Sequence, residues 1–160
     1  MNKAIYPGSF DPVTFGHLDI IERCSKIYDS VIVGVVDLSN NKEMLFTANE
    51  RKQMIEKSIS HLDNVEVEVF NSLLVDFASK KECNIIIRGL RVLSDFEYEF
   101  KMALMNRNLN EEITTLFMMT HEKYTHISSS LLKEVISLSG DISDYAPEVV
   151  IDKINKKNNE

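Results

Sequence analysis

The segment Val31-Ile-Val-Gly-Val-Val36 carries no polar side chain. A strand with one face in water alternates apolar and polar residues, so an unbroken apolar run is the mark of a strand covered on both faces. Asn84-Ile-Ile-Ile87 repeats the pattern. Between and around these runs lie helical stripes. Residues 17–28 are apolar at Leu18, Ile20, Ile21, Cys24, Ile27 and Tyr28, a spacing that lines one side of a helix. Buried strands separated by helices leave little choice of architecture: a parallel sheet with helices on both faces.

The rest of the chain fits that frame. Residues 3–6 form a short first strand. Thr47, with Glu50 three residues on, makes a capping box that opens a helix to about residue 60. Val65-Glu-Val-Glu-Val-Phe70 alternates and reads as an edge strand. Residues 72–81 are helical. Residues 94–109 form a long helix, with Ser94 and Glu97 as a second capping box. Residues 114–119 make a fifth strand, and residues 128–139 a helix stopped by Gly140. Pro147 opens a last helix, and the polar tail 155–160 is expected to fray. At 160 residues, 44% apolar, with no internal repeat or linker, residues 1–160 read as a single α/β domain on a five-stranded parallel sheet.

In such sheets ligands bind beyond the carboxyl ends of the strands, where strand order reverses. Three segments fall there. Tyr6-Pro-Gly-Ser-Phe-Asp-Pro-Val-Thr-Phe-Gly-His17 is a strand–loop–helix step that puts His17 and Ser9 beside free helix N–H groups, an anion site. Arg88-Gly89-Leu90-Arg91 follows the fourth strand, and paired arginines suit phosphate oxygens. Tyr124-Thr-His-Ile-Ser-Ser-Ser130 opens a helix with three hydroxyls where one would cap it. Lys42 lies in the loop after the second strand. On the long helix, Phe96, Phe100, Ala103 and Leu104 form one apolar arc and Tyr98, Met102, Met105 and Leu109 another. One arc is expected to face the sheet and the other a second subunit. Glu99 and Asn106 would form a polar seam toward the site.

Other features exclude function classes. The net charge of −7 speaks against a general nucleic-acid binder. No apolar run reaches the length of a membrane span and no secretory signal pattern opens the chain, so a cytoplasmic protein without membrane partners is expected. Cys24 and Cys83 are far apart and read as reduced thiols. His61, His121 and His126 lack metal-ligand spacing, so no protein metal cage is expected. Leu74 reads more readily as core than as a ligand contact.

The pieces YPGSFDPVTFGH, IRGLR, DFEYE, MNR and ISSSLLKEV, in this order and spacing, resemble the bacterial phosphopantetheine adenylyltransferases from about Lys3 to Pro147. The resemblance implies a Rossmann-like fold and transfer of the AMP unit of ATP to 4′-phosphopantetheine, giving dephospho-coenzyme A and pyrophosphate, the penultimate step of coenzyme A synthesis. It implies ATP contacts at Ser9, Phe10, His17, Gly89, Leu90, Arg91, Glu99, Tyr124, Thr125, His126, Ile127, Ser128, Ser129 and Ser130. It places the acceptor at Ser9, Lys42, Leu74 and Arg88, with Asn106 added from the polar seam. His17 is expected to stabilise the transition state, assisted by Lys42 and Arg91. Magnesium bound through substrate phosphates and a homohexamer are also implied. The loop around Lys42 differs from commoner family versions, and Tyr124 stands where tryptophan is common. Sister transferases with another acceptor, such as nicotinate mononucleotide or glycerol phosphate, share Gly-His and the serine helix but need not keep IRGLR followed by DFEYE. A class I aminoacyl-tRNA synthetase core is disfavoured by length, and a non-catalytic nucleotide binder could lose His17, Lys42 or the arginines without penalty.

Overall fold

The computed structural model describes residues 2–37 and 44–158. Five parallel strands, β1 (Lys3–Gly8), β2 (Ser30–Val36), β3 (Val65–Phe70), β4 (Ile85–Leu90) and β5 (Thr114–Met119), stand in the order β3-β2-β1-β4-β5. Six helices connect and follow them: α1 (Phe15–Ile27), α2 (Ala48–Ser58), α3 (Leu74–Lys80), α4 (Leu93–Leu109), α5 (Ser129–Ser137) and α6 (Glu148–Asn158). The chain winds outward from β1 to β3, then returns to the other side of β1 to lay down β4. The switch point therefore lies between β1 and β4, at Gly8 and Leu90.

The period-two alternation of each strand feeds two cores. Ala4, Tyr6, Val31, Val33 and Val35 pack on one face with α1, α2, α5 and α6 residues such as Ile21, Ile55, Leu132 and Val150. Ile5, Ile32, Phe70 and Ile86 pack on the other with Val75, Phe77 and Ala78 of α3. Helices thus cover both faces, as the apolar strands require. β3 is an edge strand, as its alternation implies, and Lys81 pairs with Glu68 on it.

Several boundaries differ from the sequence reading, each for a local reason. β1 runs on through Pro7, which is in register with Gly34. Proline brings no N–H to a ladder. On the β4 side the Pro7 carbonyl instead accepts from the Arg88 side chain at 2.8 Å. β4 likewise extends through Arg88 and Gly89, which pair with Phe117 and Met118, so these residues end the strand rather than follow it. The Ser94–Glu97 capping box does not form: α4 starts from Val92, with no side-chain cap. Asp95 instead accepts the Arg91 N–H, one residue ahead of the cap position, and Glu97 pairs with Lys101.

α4 departs most from expectation. Of the two apolar arcs, the first touches the sheet at its start, where Phe96 stands edge-on to Phe117 of β5 at 5.9 Å, but Phe96, Phe100 and Leu104 stay exposed, and so do Tyr98, Met102, Met105 and Leu109. The buried residues are the polar ones, Glu99 and Asn106. The helix leans its polar seam on the sheet because Arg88 there offers a charge to pair.

Gly140 also works differently from a helix-stopping glycine. The left-handed residue is Ser139, at φ 59°, while Gly140 donates to the Val135 carbonyl at 2.9 Å. A Cβ on Gly140 would stand 2.5 Å from Val135 Cγ1 and 3.1 Å from the Val135 carbonyl oxygen. Close approach, not backbone freedom, demands the glycine. Gly140→Ala is expected to destabilise the fold by about 1–3 kcal/mol. Thermal unfolding checks this, and an unchanged midpoint would mean the end of α5 relaxes without strain.

Candidate active site

The switch point is an open cavity of about 250 Å³. β1 and its loop supply Gly8, Ser9 and Phe10, α1 supplies His17, β4 supplies Arg88 and Gly89, and Arg91, Glu99, Tyr124, Ile127 and Ser128–Ser130 close the rim. The three segments singled out from the sequence therefore meet in one place.

His17 is held by the start of its own helix. Thr14 caps α1, its hydroxyl accepting the His17 N–H at 3.3 Å. In return the Thr14 N–H donates to His17 Nδ1 at 3.0 Å. A ring nitrogen that accepts cannot carry the proton of a neutral imidazole, so the proton sits on Nε2, the opposite edge of the ring. Phe10 stands edge-on to the imidazole with centroids 5.0 Å apart and is itself edge-on to Tyr6 at 5.5 Å. Burial first, then the charges of Arg91 and Arg88, push the His17 pKa down to about 4. The ring is thus a neutral, oriented N–H donor at neutral pH.

The unfolded chain protonates this histidine near the ordinary value of about 6.5. Between that value and about 4 the unfolded state holds more protons than the folded one. The stability linked to His17 is therefore full above about pH 6.5 and falls as pH drops toward 4. NMR titration of the ring protons is expected to place His17 near pH 4; a midpoint near 6.5 would contradict the buried, doubly cationic setting.

The two arginines are built alike. Arg88 Nε and Nη2 donate to the Glu99 carboxylate at 2.7 and 2.6 Å, and Nη1 donates to the Pro7 carbonyl at 2.8 Å. Arg91 Nε and Nη2 donate to Asp95 at 3.0 Å each, and Nη1 donates to the Ile127 carbonyl at 2.9 Å. Each guanidinium commits three donors to the protein and keeps one on each Nη for an incoming oxygen. Burial alone would lower the Arg88 pKa, but the Glu99 carboxylate outweighs it and the net shift is upward. Burial likewise works to raise the Asp95 carboxyl, and the hydrogen bonds and charge of Arg91 hold it below its usual range. The cradle offers aimed donors on paired charges, not bare positive charge.

The serines divide their work. Ser128 caps α5 by accepting the Leu131 N–H at 3.1 Å, and Ser129 donates to the Pro12 carbonyl at 2.8 Å, tying α5 to the β1–α1 loop. Ser130 is exposed at the rim. The first turn of α5, which has N–H groups without a helical acceptor, thus borders the cavity. Phe10 contributes packing, being 1% exposed. Tyr124 lines the rim, 6.2 Å from the Phe15 ring.

Other expected residues lie apart from this cavity. Leu90, whose carbonyl accepts the Thr120 N–H, does not line it. Thr125 hydrogen-bonds the Glu122 carbonyl, and His126 packs on Tyr145 at 5.9 Å. Leu74 and Asn106 line an adjoining hollow of about 80 Å³, which shares Arg88 and Glu99 with the main cavity. Lys42 lies outside the described residues. Thr14, Ile20, Asp95 and Thr120 line the cavity without having been singled out. Thr14 and Asp95 had a signal, a cap three residues before His17 and a carboxylate four after Arg91; Ile20 and Thr120 had none. Cys24 and Cys83 are buried and free, and burial raises the Cys24 thiol to about 11, so neither serves as a nucleophile.

An open parallel sheet with an oriented imidazole, two forked guanidinium groups and two helix N-termini at its switch point defines a nucleotide-binding α/β protein of the nucleotidyl-transfer type. Residues 5–135 match the cytidylyltransferase-like family model. The chain is 53% identical over 98% of its length to the phosphopantetheine adenylyltransferase of Heliobacterium modesticaldum, covering 93% of that protein. It is 52% identical to that of Alkaliphilus metalliredigens, covering 98% of this chain and 99% of that one. The chain belongs to the cytidylyltransferase-like family and, within it, to the phosphopantetheine adenylyltransferases. A solved structure provisionally named a nicotinate-nucleotide adenylyltransferase, from Vibrio parahaemolyticus, superposes with a TM-score of 0.71 over 96% of this chain and 99% of that one. At 20% identity it speaks to the fold alone.

Proposed function

We propose that this chain transfers the adenylyl group of ATP to 4′-phosphopantetheine. The observation that carries the reading is convergence: the His17 Nε2–H edge, the free Nη donors of Arg88 and Arg91 and the start of α5 surround one cavity. The choice of acceptor is supported by relatives about half identical over nearly the whole chain that bear that name.

The acceptor is a phosphomonoester with a second pKa near 6, so at neutral pH it is a dianion and needs no general base. Its oxygen attacks the α-phosphorus of ATP. The bond from that phosphorus to the bridging oxygen breaks, and pyrophosphate leaves with the electron pair. Arg88 holds the acceptor phosphate, with Lys42 assisting. Arg91 and the first turn of α5 hold the ATP phosphates. His17 donates Nε2–H to the α-phosphate oxygens as charge builds there. The hollow beside Leu74 and Asn106 takes the pantetheine arm. The ATP phosphates would carry the magnesium ion, whose charge would offset theirs. Asp95 and Glu99, the carboxylates beside the cavity, are already engaged by arginines.

The setting follows from the same residues. No described helix is long and apolar enough to cross a membrane, and two free thiols suit the reducing cytoplasm. The apolar residues left exposed on α4, with Leu116 and Met119 of β5, support burial against further copies of the chain, in the homohexamer the resemblance implies. Sedimentation is expected to show an oligomer that Leu104→Asp breaks; a wild-type monomer would contradict it.

Pyrophosphate release tests the assignment. It is expected with ATP and phosphopantetheine, and not with nicotinate mononucleotide or without acceptor. Release that ignores the acceptor, or prefers the nicotinate compound, would overturn it.

A further inference from the structure

Arg51, on α2, has no part in the chemistry above, yet its side chain is among the most deeply buried in the protein. The residue is 1% exposed. A buried guanidinium ordinarily sits on a carboxylate, because leaving it without one is expensive. Among the described residues Arg51 hydrogen-bonds main-chain oxygens, with the Asp11 and Asp37 carboxylates near enough to offset its charge without pairing to it. Nε donates to the Phe46 carbonyl at 3.2 Å, and Nη1 donates to the Ser9 carbonyl at 2.5 Å and the Val36 carbonyl at 2.9 Å. These carbonyls come from three separate stretches: the loop after β1, the end of β2 and the approach to α2.

Asp11, also 1% exposed, braces the joint from the other side. Its carboxylate accepts the Leu45 and Phe46 N–H groups at 2.8 and 2.9 Å and faces Lys133 of α5 at 3.4 Å. Phe46 is thus gripped at its carbonyl by Arg51 and at its N–H by Asp11. Between the two gripping points of the β1–α1 loop lies Phe10, with φ at 50°. That left-handed conformation is costly for a non-glycine residue and persists only where the surroundings enforce it. The Phe10 ring wedged between Tyr6 and His17 is one enforcement, and the Arg51 bond to the Ser9 carbonyl is the other.

We propose that Arg51 is a positioning residue for the transfer: by tying the Ser9 carbonyl to the end of β2 and the approach to α2, it fixes where the Ser9 hydroxyl stands in the cavity opposite His17. It touches no substrate and is not among the residues that line the cavity. A lysine in its place keeps the charge but has no planar fork to span three carbonyls, so the loop loses its register while the pocket keeps every group it had.

The inference rests on the proposed adenylyl transfer, and its test separates the two. Turnover and KM are measured for the wild type, R51K, Ser9→Ala and the double variant, with unfolding midpoints on the same preparations. R51K is expected to lower kcat about 10- to 100-fold, the scale of a misplaced reacting group, with KM for ATP within about threefold of the wild type. In the Ser9→Ala background the same change is expected to cost less than about threefold, because the group it places is gone. Equal losses in both backgrounds, or a folded R51K with normal kcat, would overturn the proposal. If R51K melts below the assay temperature, the same cycle is run below its unfolding midpoint, with the same expected outcomes. A wild type inactive toward phosphopantetheine would strike the functional reading itself; an active wild type with additive losses strikes only the role of Arg51.

Discussion

Replacing His17 by alanine is expected to lower turnover at least about 100-fold while leaving KM for both substrates within about threefold. The imidazole is neutral, with its Nδ1 occupied by the Thr14 N–H, so the group it presents to a ligand is a single donor on Nε2. An uncharged donor of fixed direction gains little from a substrate whose charge is spread over many oxygens. It gains more as charge concentrates on the oxygens of the phosphorus under attack. One such donor contributes roughly 3–4 kcal/mol to a transition state in a site sheltered from water, which is about two to three orders of magnitude in rate. The structural penalty is smaller. Thr14 loses an acceptor for its N–H, about 1 kcal/mol, and its hydroxyl still caps α1. A His17→Ala variant that turns over normally would remove the imidazole from the chemistry.

Arg88→Ala is expected to fail in two ways at once. Glu99 is 8% exposed, and its carboxylate would be left buried opposite an empty space. Removing one partner of such a pair destabilises by about 3–5 kcal/mol. The Pro7 carbonyl would also lose its side-chain donor. In activity, the loss of the two free Nη donors is expected to raise KM for the acceptor by at least about tenfold and to leave KM for ATP nearly unchanged. The double variant Arg88→Met with Glu99→Gln separates the effects. It removes the orphaned charge and should recover most of the thermal stability, yet none of the acceptor binding. If stability and acceptor affinity recovered together, Arg88 would be a structural residue and the acceptor phosphate would sit elsewhere.

The fold was open to reading because its sheet is buried on both sides. The unbroken apolar runs of β2 and β4 and the alternation of β3 follow from where each strand sits in the order β3-β2-β1-β4-β5. The site was legible wherever a chemical group must stand at a strand end or helix start, and so His17, Arg88, Arg91 and the serine segment meet as their positions suggest. α4 was misread because its apolar arcs look like core faces in a lone chain. What orients the helix is the pair between Glu99 and Arg88, a long-range contact that local periodicity does not carry. The Ser94–Glu97 cap does not form because the helix begins earlier: Val92 holds the cap position and Ser94 already lies in the first turn. Arg51 was invisible because arginine at a helix position ordinarily faces water. Only the three-dimensional meeting of Ser9, Val36 and Phe46 shows why this one does not.

The protein is a frame that aligns two phosphate-bearing molecules and forms no covalent bond with either. Stereochemistry at the transferred phosphorus reads this directly. When one diastereomer of ATP bearing sulfur on the α-phosphate is turned over with 4′-phosphopantetheine, a single in-line displacement must invert the configuration in the dephospho-coenzyme A analogue. Retained configuration would mean that the nucleotide passes through a covalent adenylyl–protein intermediate, and the cradle of His17, Arg88 and Arg91 would then be the wrong description of how this chain works.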